Sequence, residues 1–218
     1  MLRSPLDGGA PALPWSPLAL AAIGRLRAES PEMMGKAVAV RILGGLAATL
    51  ATMAADMPPA PAGFAWTRLP EIRADLLKPS GWTLDHQRKG GSETYRLAAP
   101  KKAGSPAAAL DINWVADVPG LAGMVPSKYA AGLVATASES HKILERESGT
   151  IGSLASVAFR FADSGPGRDG LMVRYQLVAN DRTGSLYILA FEAPAREWTN
   201  SWKTGAVMMD RIRWDPAR

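Results

Sequence analysis

The twenty residues 186–205, "LYILAFEAPAREWTNSWKTG", decide the fold of this chain. They hold an uninterrupted apolar run, a proline and two tryptophans four positions apart. An apolar run without alternation predicts a strand that is central in its sheet, with helices covering the sheet on each side. After the proline, an apolar stripe at spacings of three and four predicts a closing helix that lies on the sheet. The residues of this stripe are Trp198, Trp202, Gly205, Met209 and Ile212.

Upstream segments alternate as strands do. "GWTLDHQRKGGSETYRL", residues 81–97, predicts a β-hairpin whose turn is "KGG". In "AALDINWVAD", residues 108–117, apolar side chains up to Trp114 share one face, and Asp111 and Asn113 share the other. This pattern predicts a half-buried antiparallel strand.

In the middle of the chain, the spacing of apolar residues changes from the two-residue period of a strand to the three-to-four-residue period of a helix. "VPSKYAAGLVATASESH", residues 125–141, predicts an amphipathic helix with Ser127 as its N-cap. Two alternating strands follow, "SLASVAFRFAD" and "LMVRYQLVA", and the turns "SGPGRDG" and "NDRTG" each lead into the next strand. The sequence therefore predicts an α+β fold, an antiparallel sheet with two helices packed on its two faces as an α/β/α sandwich.

Two groups of core and turn residues carry a resemblance to a known family. The first group is Pro79, Gly81 and Trp82, and the second is Gly184, Leu186, Tyr187, Leu189, Phe191, Ala193, Pro194 and Trp198. With these residues, roughly positions 64 to 215 resemble the PsbP-like superfamily. That family includes the lumenal extrinsic subunit of photosystem II, exported bacterial proteins and a nuclear Ran-binding relative.

The resemblance implies a small non-enzymatic domain of the exported bacterial branch, periplasmic or secreted. Its partner would be another exported or membrane protein, in an accessory role at a membrane or envelope complex. The chain departs from lipidated bacterial members because it has no cysteine. No residue matches a metal-binding position of the family, and the pattern does not decide on a link to photosynthesis.

The N-terminal third is predicted to contain a targeting segment and not to belong to the folded domain. Residues 33–55 start with basic residues, continue through a charge-free stretch of about 14 residues and end in small residues, as a signal peptide does. That stretch is shorter than the roughly 20 residues of a spanning helix, so a signal peptide fits better than a membrane anchor. The alternative to a signal peptide is a buried helix of a soluble domain. Residues 1–32 are predicted to be a low-order extension upstream of a start at Met33 or Met34, residues 56–65 a linker, and residues 66–216 the folded domain.

Composition excludes several chemistries. The absence of cysteine removes thiol nucleophiles and cysteine-based metal sites, and a core of roughly 150 residues needs no disulfide. The net charge of +5 is spread along the chain, so we expect no nucleic-acid partner. The two histidines, His86 and His141, belong to no catalytic or zinc motif. We therefore expect no enzyme activity, metal or cofactor.

Tryptophan marks the candidate binding residues. Trp114, Trp198 and Trp202 are predicted to be buried, whereas Trp66 and Trp214 lie near the ends of the domain, beside Arg68 and Arg213. Tryptophan and arginine are enriched at interface hot spots, so we expect Trp66, Arg68, Arg213 and Trp214 to bind a partner. A small-molecule or lipid carrier with a pocket between sheet and helix, and a hydrolase with a non-standard site, remain alternatives.

Overall fold

The structure is a computed structural model that describes residues 57–89, 92–100, 107–163 and 170–214. The predicted extension at 1–32 and the predicted signal peptide at 33–55 lie outside the described residues. So do the tip of the "KGG" turn and most of "SGPGRDG".

In the described part of the chain, ten strands form two antiparallel sheets. In chain order the strands are β1 (Phe64–Leu69), β2 (Ala74–Pro79), β3 (Thr83–Lys89), β4 (Ser92–Ala98), β5 (Ala109–Val115), β6 (Ile143–Ile151), β7 (Leu154–Asp163), β8 (Leu171–Asn180), β9 (Ser185–Pro194) and β10 (Arg213–Trp214). The large sheet has the order β3-β4-β5-β9-β8-β7-β6, and the small sheet has the order β1-β2-β10. The predicted α+β class is thereby confirmed, but the second sheet was not predicted, and β1 starts two residues inside the segment predicted as linker.

Strand β9 is the middle strand of the large sheet, as the apolar run of the opening stretch predicts. Leu186 and Leu189 face opposite sides of the sheet, and both are fully buried. The predicted hairpin is also confirmed, with β3 and β4 paired from Thr83↔Ala98 to Lys89↔Ser92. Gly184, at a φ of +75°, ends the predicted turn between β8 and β9 in a backbone conformation that favours glycine.

The prediction that β5 is half-buried is wrong. The strand is antiparallel to both neighbours, but Asp111 and Asn113, on its polar face, are only 8% and 6% exposed. Their side chains are bonded within the sheet, since Thr94 donates a hydrogen bond to Asn113 and Arg96 donates one to Asp111. Polar side chains therefore lie inside because they pair with one another, and alternation alone does not reveal this.

Within the described residues, three α-helices accompany the sheets: α1 (Val118–Ala122), α2 (Pro126–Ser140) and α3 (Trp198–Asp210). The two predicted helices are α2 and α3, and α1 is an addition. Ser127 is not the N-cap of α2, because the cap is Val125 and Pro126 occupies the first turn. Instead, Asp181 accepts hydrogen bonds from the Ser127 backbone N–H at 2.8 Å and from its hydroxyl at 2.6 Å. A carboxylate that is distant in sequence therefore accepts from a backbone N–H in the first turn of α2.

Helix α3 packs on β9 through its tryptophan stripe. Trp198 and Trp202 stack on each other with ring centroids 5.4 Å apart, and both meet the edge of Phe191. Gly205 allows close approach, because a Cβ atom there would lie 2.9 Å from three atoms of the Phe191 ring. Trp198 is buried as predicted, whereas Trp114 and Trp202 are partly buried.

Candidate protein-binding surface

The small sheet brings three of the four predicted binding residues together. Trp66 and Arg68 are two positions apart on β1, so they lie on the same face, and Arg68 pairs in register with Asp75 of β2. Arg213 of β10 pairs with the same Asp75 from the other side. Residues directly opposite in an antiparallel pair share a face. We call the group formed by Trp66, Arg68, Asp75 and Arg213 the Trp66 surface.

The carboxylate of Asp75 is ion-paired to one of the two arginines of this surface. Arg68 Nη1 is 2.7 Å from Asp75 Oδ2, and the arginine side chain is still 53% exposed. Arg213 is exposed and donates from Nη1 to the sulfur of Met57 at 3.2 Å. The Trp66 surface thus carries more positive than negative charge, and its basic groups remain accessible.

Trp66 is held in place by the segment that precedes β1. Its indole Nε1 donates a hydrogen bond of 2.7 Å to the carbonyl of Pro58, and the residue is partly exposed. Leu77, which pairs with Trp66 on β2, is fully buried. An oriented and partly exposed indole over an apolar base can contact a partner with little loss of side-chain entropy on binding.

Trp214 lies on the opposite face of the small sheet. It follows Arg213 directly and pairs with Ala74, which belongs to the buried core. Its ring lies 4.3 Å from the ring of Tyr187, whose hydroxyl donates to the carbonyl of Ile72. These contacts place Trp214 in the packing between the small sheet and β9, apart from the Trp66 surface.

Both histidines are engaged in local contacts. His86 stacks on Tyr95 at 4.4 Å, and its Nε2 lies 2.9 Å from Glu93. His141 is the C-cap residue of α2 and stacks on Phe161 at 4.3 Å. Within the described residues, no group of three or more side chains could hold a metal ion.

Sequence reasoning missed a charged group on the buried polar face of the large sheet. Arg96 of β4 donates to Asp111 of β5 and, at 2.8 Å, to Glu192 of β9. Burial raises the pKa of Asp111 to about 6, the charge of Glu192 adds to this shift, and Arg96 opposes it. The alternation of β5 already placed Asp111 on the polar face, but its partners on two other strands are distant in sequence.

A second charged group supports α3. Arg160 lies over Trp198 and Arg174 over Trp202, with guanidinium carbons 5.7 and 5.2 Å from the ring centroids. Glu145 of the edge strand β6 pairs with both arginines. The alternation of β7 and β8, which places arginine opposite the aromatic face, could have revealed this contact. Its geometry indicates a structural role, since cation–π contacts fix the tryptophan stripe on the sheet.

No family model matches the chain, and no curated protein matches it in a sequence comparison. Solved structures do match. PsbP from the cyanobacterium Synechocystis is 10% identical with a TM-score of 0.48, and the match covers 71% of this chain and 94% of that chain. LpqN of Mycobacterium tuberculosis, described as involved in cell envelope biogenesis, is 12% identical with a TM-score of 0.48, covering 68% and 88%.

A third match is the Ran-binding protein Mog1p of Saccharomyces cerevisiae. It is 9% identical with a TM-score of 0.46, and the match covers 69% of this chain and 95% of that chain. These matches include PsbP, the protein after which the family predicted from the sequence is named, and all three TM-scores lie below 0.5. At identities of 12% or less the likeness concerns the fold, and it gives this chain neither an activity nor a partner.

Within the described residues, no helix combines the length and the apolarity that a membrane span requires.

Proposed function

We propose that this chain is a non-enzymatic accessory domain that binds another protein through the Trp66 surface. The observation that carries the proposal is the convergence of Trp66, Arg68 and Arg213 around Asp75 on one face of the small sheet. Tryptophan and arginine are the residue types that most often dominate the free energy of protein–protein binding.

The charges of the Trp66 surface indicate the chemistry of the partner. Asp75 offsets one of the two guanidinium groups, and Arg68 and Arg213 keep exposed donors. A complementary partner presents a carboxylate to these donors and an apolar recess to the Trp66 ring. Such a partner fits an accessory role in a larger assembly.

A binding role also agrees with the ionisable side chains of the large sheet. Arg96 is ion-paired to both Asp111 and Glu192, and Arg160 and Arg174 are paired to acidic residues of β6. These groups hold strands and helix together. That use favours the accessory domain over the hydrolase alternative.

We further propose that α2 and α3 cover opposite faces of the large sheet. Phe161, which stacks on His141 at the end of α2, shares a face with Glu192 through the register of β7, β8 and β9. Phe191, which packs on Gly205 of α3, is the neighbour of Glu192 on β9 and faces the other side.

We also propose that the chain is exported and acts in the periplasm or outside the cell. This rests on the sequence of residues 33–55, where basic residues precede a charge-free stretch that ends in small residues. Edman sequencing of the mature protein from its native host tests it. A new N-terminus near residue 55 supports export, and an intact N-terminal segment contradicts it.

Affinity purification with matched variants tests the binding role. The full chain is tagged and expressed in its native host, and co-purifying proteins are quantified for the wild type, for Arg68→Ser with Arg213→Ser, and for Lys128→Ser with Lys142→Ser. The control pair removes the same charge at two exposed positions near the two ends of α2. We expect one enriched protein that the first pair loses and the control pair keeps. Equal enrichment in all three proteins would contradict the proposal.

A further inference from the structure

A groove runs between α2 and the β6–β7–β8 part of the large sheet. It has a volume of about 140 Å³, and its floor is formed by Ala155, Val157, Leu177 and Ala179. Ala130 and Ala131 form the helix side. The space exists because small side chains meet here: in an ordinary helix–sheet contact, larger apolar residues would fill it.

One cation lies at the rim of this groove. Arg146 and Ser148 are two positions apart on the edge strand β6, they pair with Phe159 and Val157 of β7, and both line the groove. Both residues are exposed along a strand whose other side has no neighbouring strand in the described sheet. The groove therefore combines an apolar floor with donors at one side.

Arg146 differs from the other arginines of the large sheet. Arg88, Arg96, Arg160 and Arg174 each form an ion pair with a glutamate or aspartate. Within the described residues, Arg146 has no such pair and Ser148 no side-chain hydrogen bond. A guanidinium without an ion pair, beside an apolar recess, matches a ligand with a carboxylate and a compact apolar group.

We propose that the groove between α2 and β6 binds a small organic carboxylate, with the carboxylate on Arg146 and Ser148 and the apolar group on Val157 and Leu177. The volume is close to that of an engineered apolar cavity of about 150 Å³ that admits benzene, so the apolar group is about the size of one benzene ring. A ligand of this size binds with a Kd on the order of 1 mM. The groove belongs to the large sheet and the Trp66 surface to the small one, so this proposal is independent of the binding role above.

Benzoate is the probe, and benzamide is its neutral counterpart of nearly equal shape. Backbone amide shifts of the full chain are followed by NMR during titration. We expect saturable shifts at Ala130, Ala131 and Ser148, and roughly tenfold weaker binding of benzamide because it lacks the charge-assisted hydrogen bonds.

Three variants locate the site. Arg146→Gln removes the guanidinium and weakens benzoate binding roughly tenfold. Ala131→Leu, at an exposed lining position, fills the groove and abolishes saturation. Arg211→Gln removes the same charge at another exposed position and leaves the Kd unchanged. The proposal is overturned if benzoate fails to saturate well above 1 mM, if benzamide binds as tightly, or if Arg211→Gln weakens binding as much as Arg146→Gln.

Discussion

Replacing Gly205 by alanine tests how closely α3 packs on the central strand. Gly205 is buried in the middle of the helix, and a Cβ atom there would lie 2.9 Å from Cε1, Cε2 and Cζ of Phe191. Phe191 is fully buried, so its ring has little freedom to move aside. The added methyl group must therefore push the helix away from the sheet or deform the ring's packing.

Two opposing effects set the magnitude. Alanine is better than glycine in a helix by about 1 kcal/mol, whereas overpacking a filled core costs about 1 to 3 kcal/mol. We expect Gly205→Ala to lower the free energy of unfolding by about 1 kcal/mol in the net. Gly132, in α2, is the matched control, because it is exposed and no atom lies within 4 Å of its added Cβ. Gly132→Ala should raise the free energy of unfolding by about 0.5 to 1 kcal/mol.

Urea unfolding, followed by tryptophan fluorescence, measures both variants at unchanged m-value. Adding Phe191→Leu to Gly205→Ala frees space for the methyl group, so the double variant should lose less stability than the sum of the two single variants. Equal stabilisation by Gly205→Ala and Gly132→Ala would refute the close packing of α3 on β9.

Two further predictions concern single carboxylates. The pKa of Asp111 is raised from 3.8 to about 6, so its protonated form favours the folded state. The free energy of unfolding therefore falls by about 2 kcal/mol as the pH rises from 4 to 7. Asp111→Asn should remove this fall in urea unfolding measured across that range, and a variant that keeps the wild-type slope would contradict the assignment. Asp181→Ala removes both hydrogen bonds to Ser127 and should lower the free energy of unfolding by about 1 kcal/mol. Ser127→Ala keeps the backbone hydrogen bond, so it should cost less. Thermal unfolding that ranks the two variants the other way would contradict the role of Asp181 at the start of α2.

Local patterns predicted most of the large sheet, because β3, β4, β5, β7 and β8 are each encoded in their own alternation, whereas β6 was not predicted. The apolar run of β9 and the stripe of α3 needed no information from distant residues. Strand β10 of the small sheet was missed for the opposite reason, since it has only two residues and pairs with Asp75, which is far away in the sequence. Nothing in a two-residue segment indicates a strand.

The buried polar face was misjudged for a related reason. Asp111 and Asn113 look solvated in a single strand, and only their partners Arg96 and Thr94 on β4 show why they are buried. The same limit explains Ser127, whose partner Asp181 lies in a turn 54 positions away. Side-chain pairs between distant elements are invisible to periodicity.

The candidate binding residues were chosen because tryptophan and arginine occur together near both ends of the domain. Alternation alone could have refined that choice, since adjacent residues of a strand face opposite sides. Arg213 and Trp214 therefore cannot share a surface once both lie in β10, and Trp66 and Arg68 must. What no local pattern contained is that β1 and β10 flank the same strand, which brings Arg68 and Arg213 to one aspartate.

Site-specific photocrosslinking tests the binding role most directly. A photoreactive amino acid replaces Trp66 or Arg68 on the Trp66 surface and, as controls, the exposed Gly132 or Ala135 of α2. The four proteins are irradiated in cells of the native host, and adducts are identified by mass spectrometry. We expect the same partner to be crosslinked from positions 66 and 68 and from neither control position. A partner captured equally from 132 or 135, or no adduct from 66 and 68, would contradict binding through the Trp66 surface.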